Sequence, residues 1–155
     1  MAKTKKQSAG ILLYRIAAKK TEFFLVHPGG PFWKNKNEGS WTIPKGEFTE
    51  DEEALQAALR EFREETGADV TGPFLRLTAV RQKSGKEILA WAAAGDIDPA
   101  AITSNTFELE WPPRSGKQVS FPEVDRGGWF DLATASQLIN PAQIALLEEL
   151  VRLIQ

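Results

Sequence analysis

Cysteine is absent from this chain. Its absence excludes disulfides, thiolate metal sites and a cysteine nucleophile, and a thiol-free chain suits the cytosol. Histidine and tyrosine occur once each, as His27 and Tyr14. His27 directly follows an apolar stretch and reads as structural rather than catalytic, because glutamates elsewhere supply a base. Charge of either sign is not in excess. Lys and Arg number 19 against 21 Asp and Glu, a formal net charge of -2, so no basic field points to a nucleic-acid partner. Long apolar runs are missing as well. Nothing approaches the ~20 apolar residues of a membrane span. The basic start at residues 1–7 leads into a run broken by Tyr14 and Arg15, unlike the uninterrupted core of a secretory signal. No membrane partner is expected, and the default location is cytoplasmic. Repeats, low-complexity tracts and linker-like stretches are also lacking, so the 155 residues read as one domain over 1–155.

What is present is a series of short strand candidates around one early and one late helix. Residues 8–16 and 23–27 are apolar and rich in strand formers. A Gly/Pro-rich loop at 28–31 leads to Phe32, Trp33, Lys34 and Lys36. Trp41, Thr42 and Ile43 form a short strand candidate ended by Pro44. Residues 49–66 are expected to be helix, with Thr49 and Glu52 at capping-box spacing and Gly67 closing the last turn. Residues 74–82 and 87–94 read as strands around a turn at Ser84 and Gly85. Another candidate, 106–111, stops at Pro112 and Pro113, and Trp129 with Phe130 makes a short last one. Asn140 and Pro141 start the late helix, whose Ile144, Leu147, Val151 and Ile154 form a core-facing stripe. The pattern predicts an α/β fold with helices flanking a mixed sheet.

The early helix carries the chemistry. Leu55, Ala58, Leu59 and Phe62 make one apolar stripe, and Glu61, Glu64 and Glu65 fall together on an adjoining arc. Ala57 lies on that arc one turn earlier and leaves room for something to sit against the helix. Like charges at these spacings destabilise a helix by ~0.2–0.5 kcal/mol per pair. The cluster also lies toward the helix C-terminus, where the macrodipole disfavours anions. A hard divalent cation with oxygen ligands removes both problems. Taken alone, three glutamates beside Arg60 and Arg63 read more readily as a solvated acidic face. The surrounding spacing reverses that preference.

Residues 46–68 resemble the Nudix box. Gly46 is followed by Glu52, then by Arg60, Glu61, Phe62, Arg63, Glu64, Glu65, Thr66, Gly67 and Ala68. Every charged and glycine position of the family pattern is filled; the departure is Ala68, where a larger aliphatic is usual. The resemblance implies a Nudix-type α/β/α sandwich with a mixed β-sheet between helices. It also implies a pyrophosphohydrolase that uses Mg²⁺, with Mn²⁺ as a possible substitute. By position, Glu64 and Glu65 are the principal metal ligands and Glu61 is a further ligand or general base. Arg60 orients the carboxylates, Glu52 supports the helix start, Gly46 permits a tight loop, and the Lys45 carbonyl is a further ligand. The family often adds an acidic residue shortly before a Trp-containing strand. Glu123, six residues before Trp129, is the choice here, with Glu108 and Glu110 as rivals.

The expected reaction is metal-dependent hydrolysis of a phosphoanhydride bond. Metal ions supply positive charge and acidify water, and a nearby carboxylate takes the proton. The expected partner is a small-molecule nucleotide, with a dinucleoside polyphosphate or a nucleoside triphosphate foremost. Candidate substrate contacts are Lys45 as a point charge, Trp33 and Lys34 in the 32–36 loop, and Trp111 and Arg114 in the 110–117 turn. Phe107 reads as core rather than as a stacking residue. Monomer and homodimer both stay open. One alternative is a noncatalytic nucleotide-binding module, which should have lost a metal carboxylate; none is lost here. The other is an interaction protein, which leaves the spacing of Gly46, Arg60 and Gly67 as coincidence.

Overall fold

The computed structural model describes residues 7–155; the basic start at residues 1–6 lies outside them. In chain order the strands and helices are β1 (Gln7–Ala17), β2 (Lys20–Pro28), β3 (Lys45–Phe48), α1 (Ala54–Thr66), β4 (Leu75–Arg76), β5 (Val80–Arg81), β6 (Glu87–Ala94), β7 (Thr106–Glu110), β8 (Gln118–Pro122), β9 (Val124–Asp131), α2 (Leu132–Leu138) and α3 (Ile144–Ile154). The middles of β1 and β2 are apolar without interruption because both faces of their sheet are covered. Successive side chains of a strand point to opposite faces. Ala9, Ile11 and Leu13 of β1 join Phe24 and Val26 of β2 in one core cluster, together with Ala57, Ala58 and Phe62 of α1. Leu12, Phe23 and Leu25 join the opposite cluster, with Ala135 and Leu138 of α2 and Leu146, Leu147 and Leu150 of α3. The result is the three-layer α/β/α sandwich that the resemblance implies, with helices flanking a mixed sheet as the pattern predicts. The sheet is mixed: β1 and β6 run parallel, while β1–β2, β1–β3 and β2–β9 are antiparallel. Among the described residues no helix is long and apolar enough to cross a membrane.

A split in this sheet places the site. β2 pairs with β1 at Tyr14, opposite Phe23, and onward to the hairpin turn. The first residues of β1 pair instead with β3, Gln7 opposite Phe48 and Gly10 opposite Lys45. The segment 41–44 bridges the gap between β1 and β2: Thr42 pairs with Val26, and Ile11 N–H donates to the Pro44 carbonyl at 3.1 Å. Trp41 and Thr42 therefore make isolated bridges, and Ile43 none, rather than the expected strand. Their remaining backbone need is met from a distance. Gln143, fully buried, accepts the Ile43 N–H at 3.1 Å and donates to Thr42 Oγ1 at 2.9 Å.

The other departures have local causes. Residues 74–82 form two short strands, β4 and β5, because Thr78 turns out of the ladder. Its N–H and hydroxyl donate to the Glu149 carboxylate on α3, at 2.6 and 2.8 Å. Strand β8 and helix α2 were not foreseen. β8 alternates half-buried and exposed residues beside β7 in a separate two-stranded sheet. α2 begins where the Asp131 carboxylate accepts the Thr134 N–H at 2.9 Å. Asn140 and Pro141 open a single 3-10 turn, Pro141–Gln143, before α3 proper.

Phe62 anchors α1. It is 1% exposed, and its ring centroid lies 6.3 Å from that of Phe24. Phe62→Ala is expected to lower unfolding free energy by ~3–5 kcal/mol, measured by denaturant titration. A loss below about 1 kcal/mol would show that the helix is held by something else.

Candidate active site

Helix α1 starts five residues later than expected, and the reason lies in its own charges. Residue Glu53 takes the N-cap position without a side-chain cap. Thr49 and Glu52 form only a backbone turn, N–H to carbonyl at 3.1 Å. The Glu52 carboxylate cannot reach back to cap the helix, because the Arg60 guanidinium binds both its oxygens, at 2.8 and 2.9 Å. At the other end Gly67 closes the helix in the left-handed conformation, φ 79°, with its N–H on the Arg63 carbonyl. The buried face comprises Ala57, Ala58, Glu61, Phe62, Glu65 and Thr66, rotated from the expected stripe; Leu55 and Leu59 are only half buried. Ala57 is fully buried against the sheet. Its small size brings the helix close and leaves no space for a ligand there.

Two glutamates thus lie on the buried face. Glu61 is 7% exposed and Glu65 8%. Glu123, the single residue between β8 and β9, completes the group. One carboxylate oxygen from each of Glu61, Glu65 and Glu123 lies within 4.8 Å of the others. Gly46 on β3 forms a cradle for them, because a Cβ there would collide with the Glu61 carboxylate. Burial pushes the Glu65 carboxyl up to about 8; the Lys45 ammonium opposes this shift, and Glu61 and Glu123 reinforce it. Glu61 and Glu123 are also raised, first by burial and then by the charge of Glu64. Burial lowers the Lys45 ammonium, so it is a weak substitute for a fixed positive charge. The donor set is all carboxylate oxygen, the type that hard divalent ions take. Oxygens on opposite sides of an octahedral Mg²⁺ lie about 4.2 Å apart. Small side-chain rotations close this group on such an ion, so the residues fit a divalent cation.

Arg60 holds the flank. Besides Glu52, it donates to Glu61 at 2.9 Å and to both oxygens of Glu64 at 3.1 and 3.2 Å. Glu64 therefore faces the arginine and is not one of the three converging carboxylates. Backbone ties position Glu123: its N–H donates to the Asn105 carbonyl at 2.8 Å, and its carbonyl accepts the Gly29 N–H at 2.9 Å. Asn105 and Thr103 donate in turn to the Glu64 and Thr66 carbonyls at the end of α1. The rival carboxylates stand elsewhere. Glu108 and Glu110 are exposed, and Glu110 accepts the Arg114 N–H at 2.7 Å.

The residues singled out for substrate lie on two projections. The 32–36 loop exposes Phe32, Trp33 and Lys34, with the Lys36 ammonium 5.2 Å from the Trp33 ring centroid. The β7–β8 hairpin carries Trp111 near its tip, with Arg114 and Lys117 exposed beyond it. The projections meet where Phe32 packs edge-on against Trp111, centroids 5.6 Å apart. Phe107 is half buried, close to Gly30 and 6.0 Å from Phe121. Sequence reasoning missed the support behind Glu123, namely Gly29 and Asn105. No local motif marks them, since each acts across a long sequence separation.

The raised Glu65 carboxyl has a consequence for stability. Without metal, burial keeps a proton on Glu65 up to about pH 8 in the folded protein, while the unfolded chain releases it near the ordinary carboxylate value of 4.5. The folded state then binds more protons, so stability falls as pH rises through that window and levels above it. Metal-free unfolding temperature is expected to drop between about pH 5 and about pH 8, and Glu65→Gln is expected to flatten the drop. Thermal unfolding in chelator checks this; equal slopes for parent and variant would contradict it.

A family model, the NUDIX domain, matches residues 4–150. The fold resembles Caenorhabditis elegans Ap4A hydrolase, with TM-score 0.67 and 21% identity, covering 98% of this chain and 100% of that one. It also resembles the NUDIX domain of Shewanella oneidensis NrtR solved with ADP ribose, with TM-score 0.65 and 19% identity, covering 97% and 88%. MutT from Aliivibrio salmonicida and Vibrio cholerae gives TM-score 0.57 and 18% identity, covering 95% and 96%. Among curated proteins none matches significantly. With the model spanning nearly the whole sequence and the carboxylate group in place, the chain belongs to the Nudix hydrolase family.

Proposed function

We propose that this pyrophosphohydrolase cuts a phosphoanhydride bond in a nucleoside diphosphate-linked substrate, with a dinucleoside polyphosphate or a nucleoside triphosphate as the leading class. The observation that carries the reading is the convergence of Glu61, Glu65 and Glu123 in the Gly46 cradle. Mg²⁺ is the working ion, with Mn²⁺ as substitute. When bound it supplies positive charge to phosphate oxygens and acidifies water.

The protein's own residues then have separable tasks. Glu61, Glu65 and Glu123 hold the ion, with the Lys45 carbonyl as a further donor. Glu64, at the exposed edge of the group, is a further ligand when it turns from Arg60. Glu61 also stands ready to take a proton from attacking water, since its proton affinity is raised by burial. Arg60 fixes the carboxylates in place. Lys45 offers a point charge to phosphate, and the cations Lys34 and Arg114 stand on the two projections. Trp33 and Trp111 present aromatic surface for a base, where stacking contributes about 1–3 kcal/mol. The similarity to an Ap4A hydrolase supports the dinucleotide class, and the ADP-ribose-bound neighbour adds a second diphosphate to test.

A panel of dinucleoside polyphosphates, nucleoside triphosphates and ADP-ribose, with Mg²⁺ and with chelator, tests this reading. Turnover is expected only with Mg²⁺ or Mn²⁺; full turnover in excess chelator would defeat it. Glu64→Gln and Glu65→Gln are each expected to lose ~10²–10³ in rate with the fold retained. If both keep parental turnover, the glutamates are not the reacting site.

A further inference from the structure

His27 sits at the end of β2, and none of the tasks above uses it. It is fully buried, 0% exposed, with its ring edge-on to Trp41. Each ring nitrogen has one partner, and the two partners belong to different parts of the molecule. Nε2 lies 2.6 Å from the carbonyl oxygen of Lys36, in the loop that carries Trp33 and Lys34. Nδ1 lies 2.9 Å from Asp125 Oδ1, on β9 two residues after Glu123. The Lys36 carbonyl and the Asp125 carboxylate both only accept, so the ring binds both partners with a hydrogen on each nitrogen.

Asp125 occupies a special place. His27 pairs with Arg126 and Pro28 pairs with Val124, so the register shifts and Asp125 is the extra residue of a β-bulge. Bulges beside functional sites bend a strand and re-aim a side chain. Here the bulge lies directly after Glu123. The bulged residue folds its carboxylate back onto His27, and Gly29 of the same β2 end binds the Glu123 carbonyl at 2.9 Å. Gly29 admits no side chain, because a Cβ there would collide with the Pro122 carbonyl. The end of β2 therefore touches two parts of the site: the strand turn that carries the third carboxylate, and the loop that carries the aromatic and cationic groups.

We propose that His27 is a positioning residue that fixes Glu123 through Nδ1 and Asp125, and the 32–36 loop through Nε2 and Lys36. The inference rests on the reading of Glu123 as a metal ligand and of the loop as a substrate element. The two nitrogens act separately, so two substitutions separate them. An asparagine amide reaches the place of Nδ1, and a glutamine amide the place of Nε2. His27→Asn keeps the Asp125 bond and releases the loop. His27→Gln keeps the loop bond and releases the bulge.

The experiment reads both arms without turnover first. Limited trypsin digestion of the metal-free proteins reports cleavage after Lys34 and Lys36. Mn²⁺ titration followed by electron paramagnetic resonance reports the metal group. His27→Asn is expected to be cut about fivefold faster than the parent, the factor that one lost hydrogen bond gives, with Mn²⁺ affinity retained. His27→Gln is expected to lose about 10–100-fold in Mn²⁺ affinity, as when a group supporting a metal ligand is removed, with parental cleavage. Asp125→Ala, at an exposed position, should reproduce the Mn²⁺ loss alone and guards against misfolding of the histidine variants. In turnover, His27→Asn should raise KM with kcat retained, and His27→Gln should raise the Mg²⁺ concentration for half-maximal rate. The proposal is overturned if both histidine variants shift both readouts alike, or if Asp125→Ala binds Mn²⁺ as the parent does. The loop arm needs neither metal nor substrate, so its failure is distinct from failure of the hydrolase reading.

Discussion

Glu61 and Glu65 are turned toward the sheet on the same face of α1 as Phe62, although each carries an ionisable group. Burial, mutual repulsion and the C-terminal half of a helix dipole all oppose their charge. Arg60 compensates on one flank, where it binds Glu52, Glu61 and Glu64. The Lys45 ammonium compensates on the other, weakened by its own burial. Much of the surrounding structure serves this unfavourable arrangement. Ala57 and Ala58 let the helix approach the sheet, the split between β1 and β2 admits β3, and Gly46 leaves the volume that Glu61 fills.

The site has a local half and a distant half, and they were legible to different degrees. Residues 46–68 encode the local half in one helix and the loop before it, so the resemblance to the Nudix box points to Gly46, Arg60, Glu61, Glu64 and Glu65; of these glutamates the structure brings Glu61 and Glu65 together with Glu123, while Glu64 faces Arg60. The helix start was misread because Thr49 and Glu52 have capping-box spacing, while Arg60, eight residues on, competes for the same carboxylate and wins it with two charged hydrogen bonds. The rotated helix face was misread for a related reason. Sequence periodicity counts glutamate as outward, and here two glutamates face inward.

The distant half depends on backbone contacts that have no residue signature. The position before Trp129 points to Glu123, but its backbone is held by Gly29 and Asn105, next to a bulge at Asp125. β8 was missed because it is half buried against only one partner, and α2 because seven residues give little periodicity. The sandwich itself was readable, since β1 and β2 are apolar on both faces and the last helix has a clear stripe. The meeting of Phe32 with Trp111 joins residues 79 positions apart and follows only from the fold.

The central claim is that the buried carboxylates are held at a cost that a divalent cation removes. Unfolding temperatures of the parent and of Glu65→Gln, each with chelator and with saturating Mg²⁺, test it most directly. Without metal the variant should melt higher, because it buries one fewer ionisable group among like charges. With Mg²⁺ the order should reverse, because the parent binds the ion more tightly and ligand binding stabilises the folded state. The same order in both conditions would contradict the account.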